Sequence, residues 1–405
     1  MYNIALTHSS FSEFGGAERV IINQVKGLKG LGHNVTCFTS TSSNEKFSNT
    51  NVQCYGMEIP SPFCRLLLNI SSNVIGISKI AKKLRGYNYI LSHHHPGPLV
   101  AYEVKKKFGI PYIVYVHHLP LFLYPLEVDK KPLKWAHNGS RFTIEILSKS
   151  PGIKQWLKGA DRRAIMYADA LLTNSQYVAQ QIRSIYNREA QICRPGVDTS
   201  SFQNLVDDPS LDNFKKLHGL GDNAIILVAR MTPQKKFDWA IQILKLVKKK
   251  IKNVQLVIKT EIPHYNKWTQ VLFQKMNVAN GDDKSVRWIT NLDRKDLPLL
   301  YKSTKVYIST SVKEAFGISP IEAMACGLPV VAWDDDSGTT EYIENSRNGY
   351  LCRPYDLKDF VEKIIYLLTN EDERKRLGKQ AMENVMKNFD WKVHLDILNS
   401  VLSKI

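Results

Sequence analysis

The chain opens with a strand-length apolar run at residues 3–7 and a Ser- and Gly-rich loop at 8–16. Val20, Ile21, Val25, Leu28 and Leu31 then recur at helical spacing before a second apolar run at 34–40. That succession is a βαβ unit, whose crossover obliges its two strands to lie parallel in one sheet. Further runs at 89–92, 112–116 and 170–173, separated by helical stretches, extend the sheet. The pattern then restarts, with runs at 224–229, 254–259, 306–310 and 330–333 and an amphipathic helix at 237–250 between the first two. A chain written this way is expected to form two doubly wound α/β domains. Its 405 residues suffice for two separate cores. The turn-rich stretch 194–213 is read as the linker, giving domains 1–203 and 204–388 and a separate closing helix within 389–405. In doubly wound sheets ligands lie beyond the carboxyl ends of the strands, so the strand-to-helix loops should carry the chemistry.

Hydrophobic residues at 43% and charged residues at 23% exclude a disordered or membrane-spanning chain. Lys and Arg number 55 against 38 Asp and Glu, and the resulting +17 attracts polyanions: nucleotides, anionic lipid headgroups or nucleic acid. No RRM, KH, helix-turn-helix or zinc-finger pattern accompanies the charge, so nucleic acid is not an expected partner. The six cysteines, at 37, 54, 64, 193, 326 and 352, form no CxxC pair. Reduced thiols and a cytoplasmic location are therefore expected. The opening MYNIALTHSS does not read as a secretory leader, and no window approaches the roughly 18 uninterrupted apolar residues of a membrane span.

The most informative stretch is residues 314–332, EAFGISPIEAMACGLPVVA, which follows a strand and sets Glu314 and Glu322 eight positions apart. Residues 319–322, SPIE, read as a capping box with Pro at the first helical position, so that Glu322 serves as a helix cap and Gly327 ends the helix. The loop ahead of it offers backbone N–H groups and a helix N-terminus to an anionic group. Glu314 can accept hydrogen bonds from sugar hydroxyls, which a carboxylate does better than a neutral acceptor.

These residues resemble the E-x7-E motif of the family 4 retaining glycosyltransferases, followed by that family's A-x-A-x-G-x-P-V-V-A run. The resemblance implies a GT-B architecture: two Rossmann-like domains facing a central cleft, an N-terminal acceptor domain and a C-terminal nucleotide-sugar domain, with the last helix returning to the first. It implies that Glu314 contacts the donor sugar, that Glu322 contacts the ribose, and that the backbone of Phe316, Gly317 and Ile318 lies along sugar and phosphates. Arg230 and Lys235, in ARMTPQKKFDWAI, resemble the pair that clamps the donor diphosphate; a solvated basic loop would explain either cation alone. Gly15 and Gly16 resemble the glycine loop that lets backbone approach the donor, and tight packing would explain them equally. His117 sits where the family places a histidine against the reacting sugar, leaving His93, His94 and His95 as acceptor-side candidates. Adjacent histidines on an extended segment face opposite ways, which argues against a shared metal. The triple Asp334, Asp335, Asp336 invites a metal site, yet it falls where the family has an acceptor-facing loop, so no metal is expected. Thr260 and Thr290 stand where relatives commonly have glycine.

The implied reaction is metal-independent transfer of a hexosyl unit (mannosyl, glucosyl or N-acetylglucosaminyl) from a UDP- or GDP-sugar, a substrate rather than a cofactor, to a hydroxyl acceptor with retention. The expected acceptor is a glycan or lipid-linked intermediate. A soluble acceptor, or a GT-B protein that binds nucleotide sugars without turnover, remains the alternative. Residues 130–163 mix basic groups with Trp135, Phe142, Ile144, Ile146, Leu147, Ile153, Trp156 and Leu157, and residues 65–85 are apolar with Lys79, Lys82, Lys83 and Arg85 at one end. Such stretches can lie in a headgroup layer of the cytoplasmic membrane face, each basic residue contributing about 1 kcal/mol at an anionic surface. The competing reading is a core helix with a solvated basic face. Co-sedimentation with anionic vesicles and its absence with neutral ones is the expected result; indifference to both would leave a soluble acceptor.

Overall fold

The computed structural model describes residues 1–8, 15–39, 54–56, 81–125, 151–203, 208–261, 270–271, 273–274, 285–290 and 292–405. They form two compact units. The first holds a seven-stranded, all-parallel sheet: β1 (Asn3–His8), β2 (Asn34–Thr39), β3 (Cys54–Gly56), β4 (Tyr89–Ser92), β5 (Tyr112–Val116), β6 (Ala170–Thr173) and β7 (Gln191–Ile192), in the order β3-β2-β1-β4-β5-β6-β7. Helix α1 (Gly16–Gly30) crosses from β1 to β2. Its Val20, Ile21, Val25 and Leu28 are buried, whereas Leu31 is the C-cap residue and 48% exposed, so the apolar face ends one turn earlier than expected. Helices α2 (Gly97–Phe108), α3 (Pro151–Met166) and α4 (Gln176–Tyr186) follow.

Helix α3 bears on the membrane reading. Leu157, Ala160, Ala164 and Ile165 are buried, and Arg162 donates to the Ile185 carbonyl at 2.8 Å, which is how a core helix with a basic outer face behaves. Residues 130–150 and 65–80 of the same reading lie outside the described residues. Among the described residues no helix is long and apolar enough to cross a membrane.

The second unit begins at Gly196 with α5 (Thr199–Gln203) and α6 (Asp208–His218). Helix α5 belongs to it because Phe202 is buried in its core. The junction thus falls at 195/196 and not at the expected 203/204, since burial of an aromatic ring ties the stretch to one side. The sheet consists of β8 (Ala224–Val228), β9 (Gln255–Lys259), β10 (Val286–Ile289), β11 (Val306–Ser309), β12 (Val330–Trp333) and β13 (Gly349–Cys352). All pairs are parallel and the order is β10-β9-β8-β11-β12-β13. Helices α7 (Phe237–Lys248), α8 (Leu297–Lys302), α9 (Ile318–Ala325), α10 (Leu357–Thr369) and α11 (Glu371–Asn388) complete this unit.

The last helix, α12 (Trp391–Leu402), returns to the first unit. Its His394 donates from Nδ1 to the Arg194 carbonyl at 2.7 Å and accepts at Nε2 from Gln24 of α1 at 3.0 Å. That pairing fixes the tautomer, because a carbonyl can only accept. Leu395 closes the contact so tightly that a Cβ on Gly27 would meet it at 2.3 Å.

A comparable contact holds α9 against α11. A Cβ on Gly378 would meet the Gly327 carbonyl oxygen at 2.0 Å, and backbone cannot give way as a flexible side chain can. Gly378→Ala is expected to cost about 1–3 kcal/mol in urea unfolding, as overpacking does. Gly30→Ala, which meets nothing within 4 Å, should stay within about 0.5 kcal/mol. Equal behaviour of the two variants would contradict the close approach.

Candidate active site

In both sheets the strand order reverses beside the first strand, between β1 and β4 and between β8 and β11. Loops leaving strands on either side of such a point diverge and open a crevice at the carboxyl ends. In the second unit these are residues 229–236 and 310–317, which are stitched together. Val312 donates its backbone N–H to Gln234 O at 2.9 Å, Gln234 Nε2 donates to Lys313 O at 2.9 Å, and Thr310 Oγ1 donates to Lys235 O at 2.7 Å.

Lys235 and Glu314 form an ion pair across the two loops, with side chains only 19% and 13% exposed. Burial alone would raise the Glu314 carboxyl, but the Lys235 ammonium, a hydrogen bond from Ser311 and the charge of Arg230 outweigh it and hold the group below its ordinary value. Arg230, Lys235 and Glu314 are therefore brought together. Phe316 is not available as a side chain: it is buried against Tyr342 and Phe389, with ring centroids 5.6 and 6.1 Å away. Only its backbone can face a ligand. Gly317, at φ 83°, turns the chain into α9; a Cβ there would meet Tyr342 Oη at 3.1 Å and Glu314 Cγ at 3.3 Å. Ile318 is the first residue of α9, a helix whose N-terminal N–H groups follow this loop.

The expected capping box is absent. Gly317, not Ser319, is the N-cap, and no side chain caps the helix. A left-handed glycine starts the helix two residues earlier, which moves Glu322 from the third helical position to the fifth. Its carboxylate is fully buried and accepts from Arg294 Nη2 at 3.1 Å and Tyr301 Oη at 3.2 Å. Sequence reading missed both donors, since Arg294 lies in an unpatterned DRKD run. Asp335, the middle of the acidic triple, accepts from the Lys313 backbone N–H at 2.7 Å and braces the Glu314 loop, while Gly338 donates to Glu314 O at 2.8 Å. Among the described residues no group of His, Cys, Asp and Glu is placed to hold a metal ion.

The first unit gathers histidines at the ends of β1, β4 and β5. His93 Nδ1 and His117 Nε2 share a hydrogen bond of 2.9 Å. The His94 ring lies 4.8 Å from that of His117, 4.6 Å from His118 and 5.6 Å from His8. Alternation along a strand would have separated His93 from His94, but β4 ends at Ser92 and the chain turns. His95 stands apart, edge-on to Phe122 at 5.3 Å. Gly15 N-caps α1, its N–H donating to Glu18 Oε2 at 2.8 Å, and Gly16 is the first helical residue. Glu18 also reaches His8 at 3.3 Å.

Burial, then the neighbouring rings, pushes the pKa of His93, His94 and His117 well below the ordinary range. Burial takes His95 and His394 down to about 4. A histidine whose folded pKa is depressed binds fewer protons folded than unfolded once pH drops below about 6.5. Its stability contribution is complete above that value and is lost as pH falls toward the folded pKa. The melting midpoint should therefore fall between pH 7 and pH 5, before Glu314, with its lowered pKa, begins to titrate. His94→Gln should flatten that slope. A midpoint constant from pH 7 to 5 would show that these rings are not held neutral by folding.

Comparison with known proteins agrees with this fold. Residues 210–384 match the family described as Glycosyl transferases group 1, and residues 14–201 match Glycosyltransferase Family 4. A trehalose synthase of Pyrococcus horikoshii is 33% identical over 98% of this chain and 90% of its own length. A probable sucrose-phosphate synthase of Thermosipho melanesiensis is 25% identical over 75% of this chain and 67% of its own. Among solved structures, Anabaena Alr3699/HepE in complex with UDP-glucose superposes with a TM-score of 0.79 at 17% identity, covering all of both chains. With two Rossmann-like units of GT-B type and a relative this similar along almost its whole length, the chain belongs to the family 4 glycosyltransferases.

Proposed function

We propose that this glycosyltransferase moves a hexosyl unit, mannosyl, glucosyl or N-acetylglucosaminyl, from a UDP- or GDP-sugar to a hydroxyl of a glycan or lipid-linked acceptor, with retention and without a metal ion. The observation that carries this reading is the grouping of Arg230, Lys235 and Glu314 at the β8/β11 reversal. A departing nucleoside diphosphate accumulates negative charge, and two preset cations stabilise it at little cost in reorganisation. Lys235 is neutralised by Glu314. An arriving diphosphate competes for the ammonium and leaves the carboxylate to accept sugar hydroxyls. The backbone of Phe316, Gly317 and Ile318 lies along the sugar and phosphates; the Glu322 carboxylate, fully buried on Arg294 and Tyr301, meets a ribose only if that packing opens. The leaving diphosphate takes the acceptor proton, so no protein nucleophile is required. Neutral imidazoles at His117 and at His93 and His94 offer hydrogen-bonding groups suited to hydroxyls without the cost of burying an ion. The UDP-glucose bound by the Anabaena structure, and the sugar-joining names of the two synthases, support a nucleotide-sugar donor.

Thermal-shift screening of UDP- and GDP-hexoses identifies the donor, since tight binding raises the midpoint by mass action. With that donor and a hydroxyl acceptor, turnover should survive EDTA. Glu314→Gln should lower kcat about 10- to 100-fold, a charge-assisted hydrogen bond's worth, while raising donor KM less. A strict requirement for manganese or magnesium, or a product of inverted configuration, would overturn the reading.

A further inference from the structure

The Lys235–Glu314 pair is flanked by two left-handed lysines: Lys236, at φ 47°, follows one partner and Lys313, at φ 49°, precedes the other. A residue with a Cβ adopts that region at a cost, because the Cβ crowds the neighbouring backbone. Lys236 has a local reason, since it ends the 3-10 turn Pro233–Lys235 and opens α7. Lys313 ends no helix or strand. Its conformation is held from three directions instead. Asp335 Oδ2 accepts its backbone N–H at 2.7 Å, Gln234 Nε2 donates to its carbonyl at 2.9 Å, and its ammonium turns back to donate to the main-chain carbonyl of Asp335. Asp334 and Asp336 are exposed, whereas Asp335 between them is buried, at 4% exposure. Tyr355 Oη donates to the same Oδ2 at 3.3 Å. Among the described residues no metal site accounts for a carboxylate buried there. What it holds is a backbone N–H immediately before Glu314, 22 residues away in sequence.

We propose that Asp335 is a positioning residue for glycosyl transfer: by accepting the Lys313 N–H it keeps Lys313 left-handed, and that turn aims Glu314 at Lys235 and the donor sugar. This rests on the reading of Glu314 proposed above, which the Lys235–Glu314 pair carries. Without the acceptor Lys313 relaxes toward negative φ, and a change of that size in the preceding residue re-aims the Glu314 side chain. Glycine has no Cβ and populates positive φ about as readily as negative, so at this position it holds the turn with no carboxylate to clamp it.

The experiment measures hydrolysis of the UDP- or GDP-hexose that stabilises the protein, with water as acceptor, in wild type, Asp335→Ala, Lys313→Gly, the double variant Asp335→Ala/Lys313→Gly and Glu314→Gln, alongside calorimetric titration of UDP or GDP. Asp335→Ala is expected to lower kcat about tenfold or more, the scale of one charge-assisted hydrogen bond, while the Kd of the nucleoside diphosphate stays within about threefold because Arg230 and Lys235 remain. Lys313→Gly alone should stay within about threefold of wild type, and added to Asp335→Ala it should restore most of the lost kcat. A residue that only supports the fold would lose nucleotide affinity together with rate and gain nothing from Lys313→Gly. Asp335→Leu, which fills the space and accepts nothing, carries the same expectations should the alanine variant fold poorly. A wild type without turnover, or Glu314→Gln at the wild-type rate, would overturn the reading of Glu314 and this inference with it. An impaired Glu314→Gln beside Asp335 variants that keep full rate, or that Lys313→Gly does not restore, would overturn the inference alone.

Discussion

Lys235 and Glu314 lie mostly buried, each the other's main compensation, with Ser311 and Arg230 adding to the support of the carboxylate. Removing one partner from such a pair typically costs about 3–5 kcal/mol, because the remaining charge is left without compensation. The pair therefore constrains what surrounds it. It requires the loop after β8 and the loop after β11 to meet, which the strand order β9-β8-β11 makes possible. It requires a rigid approach, supplied by Gln234, Thr310 and Val312, and it brings the loop of Phe316 and Gly317 to the start of α9.

The two units handle polarity at their carboxyl ends in opposite ways. The second places fixed charges there, Lys235 with Glu314 and Arg294 with Glu322, each cation matched to a buried carboxylate. The first places histidine rings there, and burial among like rings favours the neutral form of His93, His94 and His117. Neutral imidazoles can donate and accept hydrogen bonds without the desolvation cost of an ion. Fixed charges suit a phosphate-bearing ligand; neutral rings suit hydroxyls.

Much of the fold was legible in the chain because an interior parallel strand, covered on both faces, must be an apolar run. Strands β1, β2, β4, β5, β6, β8, β9, β11 and β12 were all read that way. The four that were not, β3, β7, β10 and β13, are the edges of the two sheets. An edge strand is short and less fully covered, so Gln191–Ile192 and Val286–Ile289 carry polar or bulky residues and no continuous apolar signal. The junction was displaced for a related reason: residues 196–203 look like a turn-rich linker, and only the burial of Phe202 shows which core they join. Local rules misled at SPIE, where the sequence satisfies a capping box but the preceding glycine, at φ 83°, starts the helix first.

The sequence by itself determined the repeated βαβ succession, the places where strands give way to loops, and the motif through which the family can be read. Hydrophobic period and chain punctuation are local properties, and they survive without knowledge of neighbours. Tertiary structure alone decided the partners. Lys235 and Glu314 are 79 residues apart in sequence, His93 and His117 are 24, and Arg294 and Glu322 are 28. Each pair meets because strand order brings two loop mouths together or because a helix start shifts by two residues. No periodicity records such meetings, since an ion pair or a shared imidazole proton depends on distances of a few ångströms that only the packed sheets set.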